Sequence, residues 1–236
     1  LYHPAVHLQY DDQSRRLILY RTETGLADSP FFDSFHKLDI HFEALYWIID
    51  KPDLYFRQLE GTRAESTGFL QSMNYFSYSD FDRLRLIDNQ HPMFSIENYL
   101  KAYGRENDIQ LSYYADFIKK PQEQALTQLL RLAAGGYLVY DPDTQIAILN
   151  ERFSNTLRAR SGDVDYDVIR INSFTSALKP NVQMNFDSLV LNVSGVKEVV
   201  LSNAQRVRIF PEEEFVAIGA NRDFTFSGFV GAGLFE

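Results

Sequence analysis

The sequence predicts an α+β fold in three parts: a β-rich region over residues 1–92, a helical middle with one hairpin over 93–160, and an all-β region, solenoid or sandwich, over 161–236. Three observations predict it. Period-2 alternation and short apolar runs between turn residues dominate both ends of the chain, which is the pattern of strands. Apolar residues at i, i+3, i+4 and i+7 mark the middle, the pattern of helices with one buried face. Charge divides at the same places: 9 basic residues against 14 acidic in the first part, 8 against 8 in the second, and 6 against 10 in the third.

In the first part, residues 6–10 alternate, Asp11-Asp12-Gln13-Ser14 is a turn cluster, and residues 16–21 return, which makes a hairpin. Residues 37–44 carry apolar side chains at 38, 40, 42 and 44 with polar ones between, a half-buried strand. Residues 54–56 and 68–76 read as further short strands. Ser79, followed by Asp80 and Asp82, reads as the N-cap and acidic first turn of a short helix.

In the middle, Phe94, Glu97, Tyr99, Leu100 and Ala102 share a helix that Gly104 stops. Residues 109–112 are a short extended link, and Ser112 caps a helix over 113–120 that ends at Pro121. A third helix over 122–134 buries Leu126, Leu129, Leu130 and Ala133, and Gly135-Gly136 ends it. Residues 137–140 and 146–149 then flank the turn Asp141-Pro142-Asp143-Thr144. Helix, short strand, helix, helix and hairpin is the order of a winged helix-turn-helix, and residues 93–160 resemble that superfamily, most closely through the last helix and wing at 129–140.

That resemblance implies a DNA-reading helix, with Gln124, Gln128 and Arg131 as the base-contacting candidates. Charge argues against it. Affinity for DNA begins with Lys and Arg on phosphates. The helix has only Arg131, with Glu123 beside it, and the wing tip carries Asp141 and Asp143. Lys119, Lys120, Arg158 and Arg160 are the nearby basic residues. A net charge of −9 for the whole chain points the same way, so nucleic acid is disfavoured as a partner.

The last part reads as strands at 167–171, 182–186, 189–193, 196–201, 207–209, 215–218 and 224–226. Even spacing without Asn-Gly or Asp-Gly turns fits a solenoid as well as a sandwich. The pattern persists to Glu236, from which the protein is expected to continue as a longer chain. Gly228, Gly231 and Gly233 run in the wrong order for a dinucleotide fingerprint and suit close strand packing instead.

With no cysteine, disulfide scaffolds, thiolate zinc sites and a cysteine nucleophile are excluded. No G-x-S-x-G, P-loop or H-E-x-x-H occurs, so no catalytic residue is assigned. His3 and His7 fall where alternation favours strand, and His36 and His41 are an odd number apart, so neither pair shares a metal-binding face. Asp163, Asp165 and Asp167 resemble the first half of a calcium loop, but Val168 stands where its glycine belongs and Phe174 where its glutamate belongs. These three are the metal candidates, with Ca2+ the ion; no other cofactor is expected. No apolar run reaches the ~18 residues of a membrane span. Phe and Tyr, 19 and 14 residues, suit sheet faces, protein interfaces and sugar stacking alike.

The segments 2–6, 29–33, 165–169 and 221–228 are similar to stretches of long, strand-rich proteins of Bacteroidota that have no assigned activity. The resemblance implies a fragment of a large protein with an envelope or surface setting, and it brings no catalytic residue. The leading expectation is a non-enzymatic structural or protein-interaction module, whose partners are other proteins or other parts of the same larger chain. The alternatives are a carbohydrate-binding or carbohydrate-processing β-solenoid and a DNA-binding winged helix.

Overall fold

The fold is α+β. The computed structural model describes residues 1–22, 25–60, 65–85, 90–176, 179–200, 206–208, 214–219 and 224–226. The chain opens with β1 (His7–Asp11), β2 (Arg16–Tyr20), β3 (Phe31–Asp33), β4 (Leu38–His41), β5 (Ala44–Ile48), β6 (Asp53–Arg57) and β7 (Glu65–Ser72). There follow α1 (Tyr78–Arg83), α2 (Pro92–Tyr103), β8 (Asp108–Gln110), α3 (Leu111–Ile118), α4 (Gln122–Ala134), β9 (Leu138–Asp141), β10 (Ile146–Leu149) and α5 (Glu151–Ser161). It closes with β11 (Arg170–Ser176), β12 (Val182–Asn185), β13 (Val190–Ser194), β14 (Glu198–Val200), β15 (Arg206–Arg208), β16 (Phe215–Ile218) and β17 (Phe224–Phe226). The glycines at 228, 231 and 233 lie outside the described residues.

Contacts divide the chain into two units, one of residues 1–23, 30–73 and 167–236, the other of 24–29 and 74–166. The sequence division at 92/93 and 160/161 therefore differs from the structural one. Its two β-rich parts contribute strands to the same sheets: β12 pairs with β6, and β11 pairs with β7 from Arg170↔Gln71 to Ser176↔Glu65. Pairing between strands about a hundred or more residues apart leaves no local trace in sequence, whereas polar turn clusters mark loops whether or not a domain ends there.

The first unit has an eight-stranded sheet, β1-β2-β5-β6-β12-β13-β16-β17, and a six-stranded sheet, β15-β14-β11-β7-β4-β3. Every pairing in both is antiparallel. Leu54, Phe56, Val182 and Leu191 of the larger sheet join Leu38, Ile40, Leu70 and Ile171 of the smaller in one apolar cluster. Each such side chain contributes about 1.5–3 kcal/mol by burial. In β4 the expected alternation holds for Leu38 and Ile40, but the strand is not half-buried. Asp39, on the other face, is also fully buried, with its carboxylate 3.4 Å from the Gln71 amide.

Two glycines are required by backbone geometry. Gly68 lets the Phe42 ring lie directly on β7, where an added Cβ would sit 2.4 Å from that ring. Gly195 has φ +66°, and a Cβ there would sit 2.1 Å from the carbonyl oxygen of Phe174. Gly195→Ala combines left-handed strain with a backbone clash, so a loss of about 2 kcal/mol or more is expected in urea unfolding. An alanine variant as stable as the parent would contradict that geometry.

Four hairpins close with one device. A side-chain oxygen of Asp11, Asp33, Asp141 or Asn185 accepts the N–H two residues on, at 2.9–3.1 Å. The same side chain holds a second group three residues on: the Ser14, Thr144 and Ser188 hydroxyls and the His36 ring. The next residue is left-handed: Arg15, Lys37, Gln145 and Leu189 have φ of 51°, 58°, 55° and 54°. This Asx turn replaces the Asn-Gly or Asp-Gly that the sequence lacks. The Ser14 and Thr144 hydroxyls hold the Asp11 and Asp141 carboxyls below the ordinary carboxylate range.

The second unit carries a three-stranded sheet, β8-β10-β9, around which its helices gather. Helix α4 has the bounds the periodicity predicts, but it buries Ala125, Leu129, Leu132 and Ala133, with Leu126 and Leu130 only partly buried. Helix α3 begins at Leu111, straight off β8, without the Ser112 cap. Helix α5, too polar to show an apolar stripe, buries only Phe153, Thr156 and Ala159. His91 caps α2: its Nδ1 accepts the Met93 N–H at 3.3 Å and its Nε2 donates to the Phe81 carbonyl at 2.8 Å. Burial pushes the His91 pKa down, against the Phe81 hydrogen bond, which keeps the ring neutral. No helix among the described residues is long and apolar enough to cross a membrane.

Candidate functional site

Helix α4 presents Gln124 and Arg131 to solvent. Gln128 is partly buried and accepts a hydrogen bond from the Tyr114 hydroxyl at 3.1 Å. Gln122, Glu123, Gln124, Thr127 and Arg131 remain outward, with the Thr127 hydroxyl donating to the Glu123 carbonyl at 2.8 Å. The β9–β10 turn adds Asp141, whose lowered pKa keeps it anionic. One cation on the helix and an acidic turn are a poor match for a phosphate backbone.

A second surface of the same unit is built from rings. Tyr103, at the end of α2, and Tyr113, in α3, are 47% and 52% exposed. They stack on each other, with centroids 6.3 Å apart and planes 20° from parallel. Behind them Tyr99 lies 4.8 Å from Tyr103, and the Phe117 ring meets Tyr103 edge-on at 6.1 Å. Tyr99 in turn packs edge-on against Tyr114 at 5.6 Å, and both are buried. Gly104, at φ +62°, ends α2 directly after this ring. The exposed pair is thus held by buried aromatics and loses little freedom when it meets a partner. The sequence shows the aromatic count but not which rings stay outside, because that depends on how α2 and α3 pack.

The calcium candidates are not gathered. Asp163 accepts from the Ser161 hydroxyl at 2.6 Å, Asp165 from the Tyr166 N–H at 2.9 Å, and Asp167 from the Ser72 hydroxyl. Among the described residues no three His, Asp or Glu form a group that could hold a metal ion.

On the outward face of the eight-stranded sheet, Asp53 accepts from the Gln183 and Asn185 amides at 3.0 and 2.8 Å, with Tyr55 alongside. Those two amides hold the Asp53 carboxyl below its ordinary range. Burial, and secondarily the Asp53 charge, pushes the Tyr55 hydroxyl up.

One titratable pair is deep. The His36 Nδ1 lies 2.6 Å from the Asp33 carboxylate and its Nε2 lies 3.1 Å from the Leu189 carbonyl. Both residues are 2% exposed. Both partners are acceptors when Asp33 is ionised, an arrangement that favours the charged imidazole and raises the His36 pKa, against its burial. A histidine locked on both sides is a clamp, without a free nitrogen for proton transfer. No family model, curated protein or solved structure matches the chain.

Proposed function

We propose that the chain is a non-enzymatic protein-interaction module of a larger protein, in which a winged-helix-like unit recognises a protein and a β-sandwich unit serves as scaffold. The order α2-β8-α3-α4-β9-β10 and the β8-β10-β9 sheet support the winged-helix reading. The uniformly antiparallel pairing of the first unit favours a sandwich over a solenoid. The observation that carries the function is the exposed, ring-supported Tyr103–Tyr113 pair. Tyrosine offers a large amphipathic contact with two rotatable bonds, and such residues dominate interface energetics. The α4 face and the acidic wing turn do not offer the same for DNA.

A photo-crosslinking residue at position 113, in cells that make the protein, is expected to give a protein adduct; the same residue at 124 is expected to give none. The purified chain is expected not to retard duplex DNA even at low salt, about 50 mM, where phosphate contacts are strongest. Retarded DNA, or a nucleic-acid adduct from position 124, would overturn the reading. The second reading, carbohydrate binding, rests on Tyr55 beside Asp53, Gln183 and Asn185. Saturable glycan binding lost in Tyr55→Ala but kept in Tyr113→Ala would favour it instead.

A further inference from the structure

Among the described residues strand β1 is one edge of the eight-stranded sheet, and all five of its residues are exposed. It pairs with β2 in unbroken register from His7↔Tyr20 to Asp11↔Arg16. Edge strands are ordinarily protected by proline, lysine, a bulge or a covering segment. Within β1 there is no proline, no lysine and no bulge. Leu8 and Tyr10 point to the same face and are 64% and 44% exposed. They stand opposite Leu19 and Leu17, which stand opposite Leu45 and Trp47. Leu19 and Trp47 pack against the apolar cluster between the two sheets, so the inner apolar face of the sheet runs on to its open edge.

We propose that β1 pairs antiparallel with β1 of a second copy of this chain, about a two-fold axis through Gln9, joining two eight-stranded sheets into one. The sequence of the strand, His-Leu-Gln-Tyr-Asp, is complementary to itself in that arrangement. His7 meets Asp11 of the other copy at both ends, Leu8 meets Tyr10, and Gln9 meets Gln9. The Ser14 hydroxyl and the Gln13 N–H hold Asp11 anionic and in place. Sliding the pairing by two residues cuts the overlap from five residue pairs to three and separates His7 from Asp11. A slide by one turns Leu8 and Tyr10 to the wrong face. The exposed His7–Asp11 contacts add little affinity, but they fix register. The contact is isologous, so it closes at two copies. A five-residue strand pair lies at the small end of specific interfaces, so the dimer is weak, with a dissociation constant of about 10–100 μM.

Sedimentation of the 236-residue chain over a concentration series tests this. A monomer–dimer equilibrium is expected, and Leu8→Lys, at an exposed position, should weaken it at least about tenfold by placing two lysines at the new seam while the thermal unfolding profile is kept. Because the chain has no cysteine, one introduced thiol reads register directly. The two Gln9→Cys residues would face each other with Cα atoms about 4.5–5.5 Å apart, within disulfide range, and should cross-link under mild oxidation. The His7→Cys pair would be about 13 Å apart and should not. A chain that stays monomeric to about 0.5 mM would overturn the proposal, as would a dimer that resists Leu8→Lys or cross-links through position 7 and not 9. A protein partner captured at position 113 bears on the helical unit alone, so the two ideas fail separately.

Discussion

Asn181→Ala is expected to cost about 3–5 kcal/mol of folding stability, among the largest effects of any single truncation in the strand unit. The side chain is fully buried just before β12, where the apolar filling between the sheets ends. Its oxygen accepts from the Ser66 hydroxyl at 2.5 Å, and its amide donates to the Ser66 carbonyl at 3.0 Å and to the Ser173 hydroxyl at 2.8 Å. Ser66 also accepts the Gln58 N–H at 2.6 Å, and Ser173 donates to the Ser194 carbonyl at 2.5 Å. Ser66 and Ser173 belong to the six-stranded sheet; Ser194 belongs to the eight-stranded one, and Asn181 directly precedes its strand β12. The network therefore ties one sheet to the other. Truncation leaves a hydroxyl, a carbonyl and a second hydroxyl short of a partner in a dry site, each costing about 1–3 kcal/mol. Ser173→Ala, which removes its two bonds but leaves the Asn181–Ser66 pair, should cost less, about 1–3 kcal/mol. Urea unfolding followed through Trp47, the single tryptophan and a member of this unit, reads the difference without interference from the helical unit. An Asn181→Ala protein within about 1 kcal/mol of the parent would mean that water takes over the amide's role.

None of that network is visible in sequence. Ser66 and Ser173 lie outside the strands read at 68–76 and 167–171, Asn181 lies just before the one read at 182–186, and their meeting requires β7, β11 and β12 to be placed first. What sequence does carry is local. The periodicity of 122–134 fixes α4 to the residue, and the turn cluster at 11–14 fixes the β1–β2 hairpin. The recurrent Asx turn was legible as well, as Asp or Asn followed three residues later by Ser, Thr or His. A search for Asn-Gly passes over it, because the left-handed residue here is Arg15, Lys37, Gln145 or Leu189. Burial of charge was the hardest to read. Asp39 occupies an alternation position that predicts solvent, yet it lies inside because both faces of β4 are covered. Of the DNA candidates, Gln124 and Arg131 are exposed, while the Gln128 amide oxygen faces Tyr114, a contact set by the packing of α3 on α4.

The opposite end of β12 predicts the other large effect, and this one depends on pH. There the hairpin turn of β3–β4 meets that of β12–β13 through one side chain, His36, bonded to Asp33 of its own turn and to the Leu189 carbonyl of the other. The two turns belong to different sheets, so His36 does at this end what Asn181 does at the first. Burial opposes a charge on His36, but the Asp33 hydrogen bond, the Asp33 charge and the Leu189 carbonyl outweigh it and the net shift is upward. For Asp33, burial is likewise outweighed, by the His36 hydrogen bond and charge and by the His36 and Phe35 N–H groups, and its net shift is downward. A raised histidine stabilises the fold fully below its unfolded value of about 6.5, and this is lost as pH rises through the higher folded value. A lowered aspartate stabilises above about 3.8, and this is lost as pH falls through the lower folded value. The pair is therefore at full strength between about pH 4 and pH 6.5. At about pH 5.5, His36→Ala should cost about 3–5 kcal/mol, because it strands the Asp33 carboxylate in a dry site. The gap between parent and variant should narrow as pH rises above 6.5, through deprotonation of the parent's ring. Neutral His91, whose lowered pKa acts in the opposite sense, belongs to the helical unit and is common to both proteins, so it cancels in the difference. Urea unfolding followed through Trp47 at about pH 5.5 and about pH 9 checks the sign, and a gap that stays constant or widens at the higher pH would show that His36 is neutral in the fold.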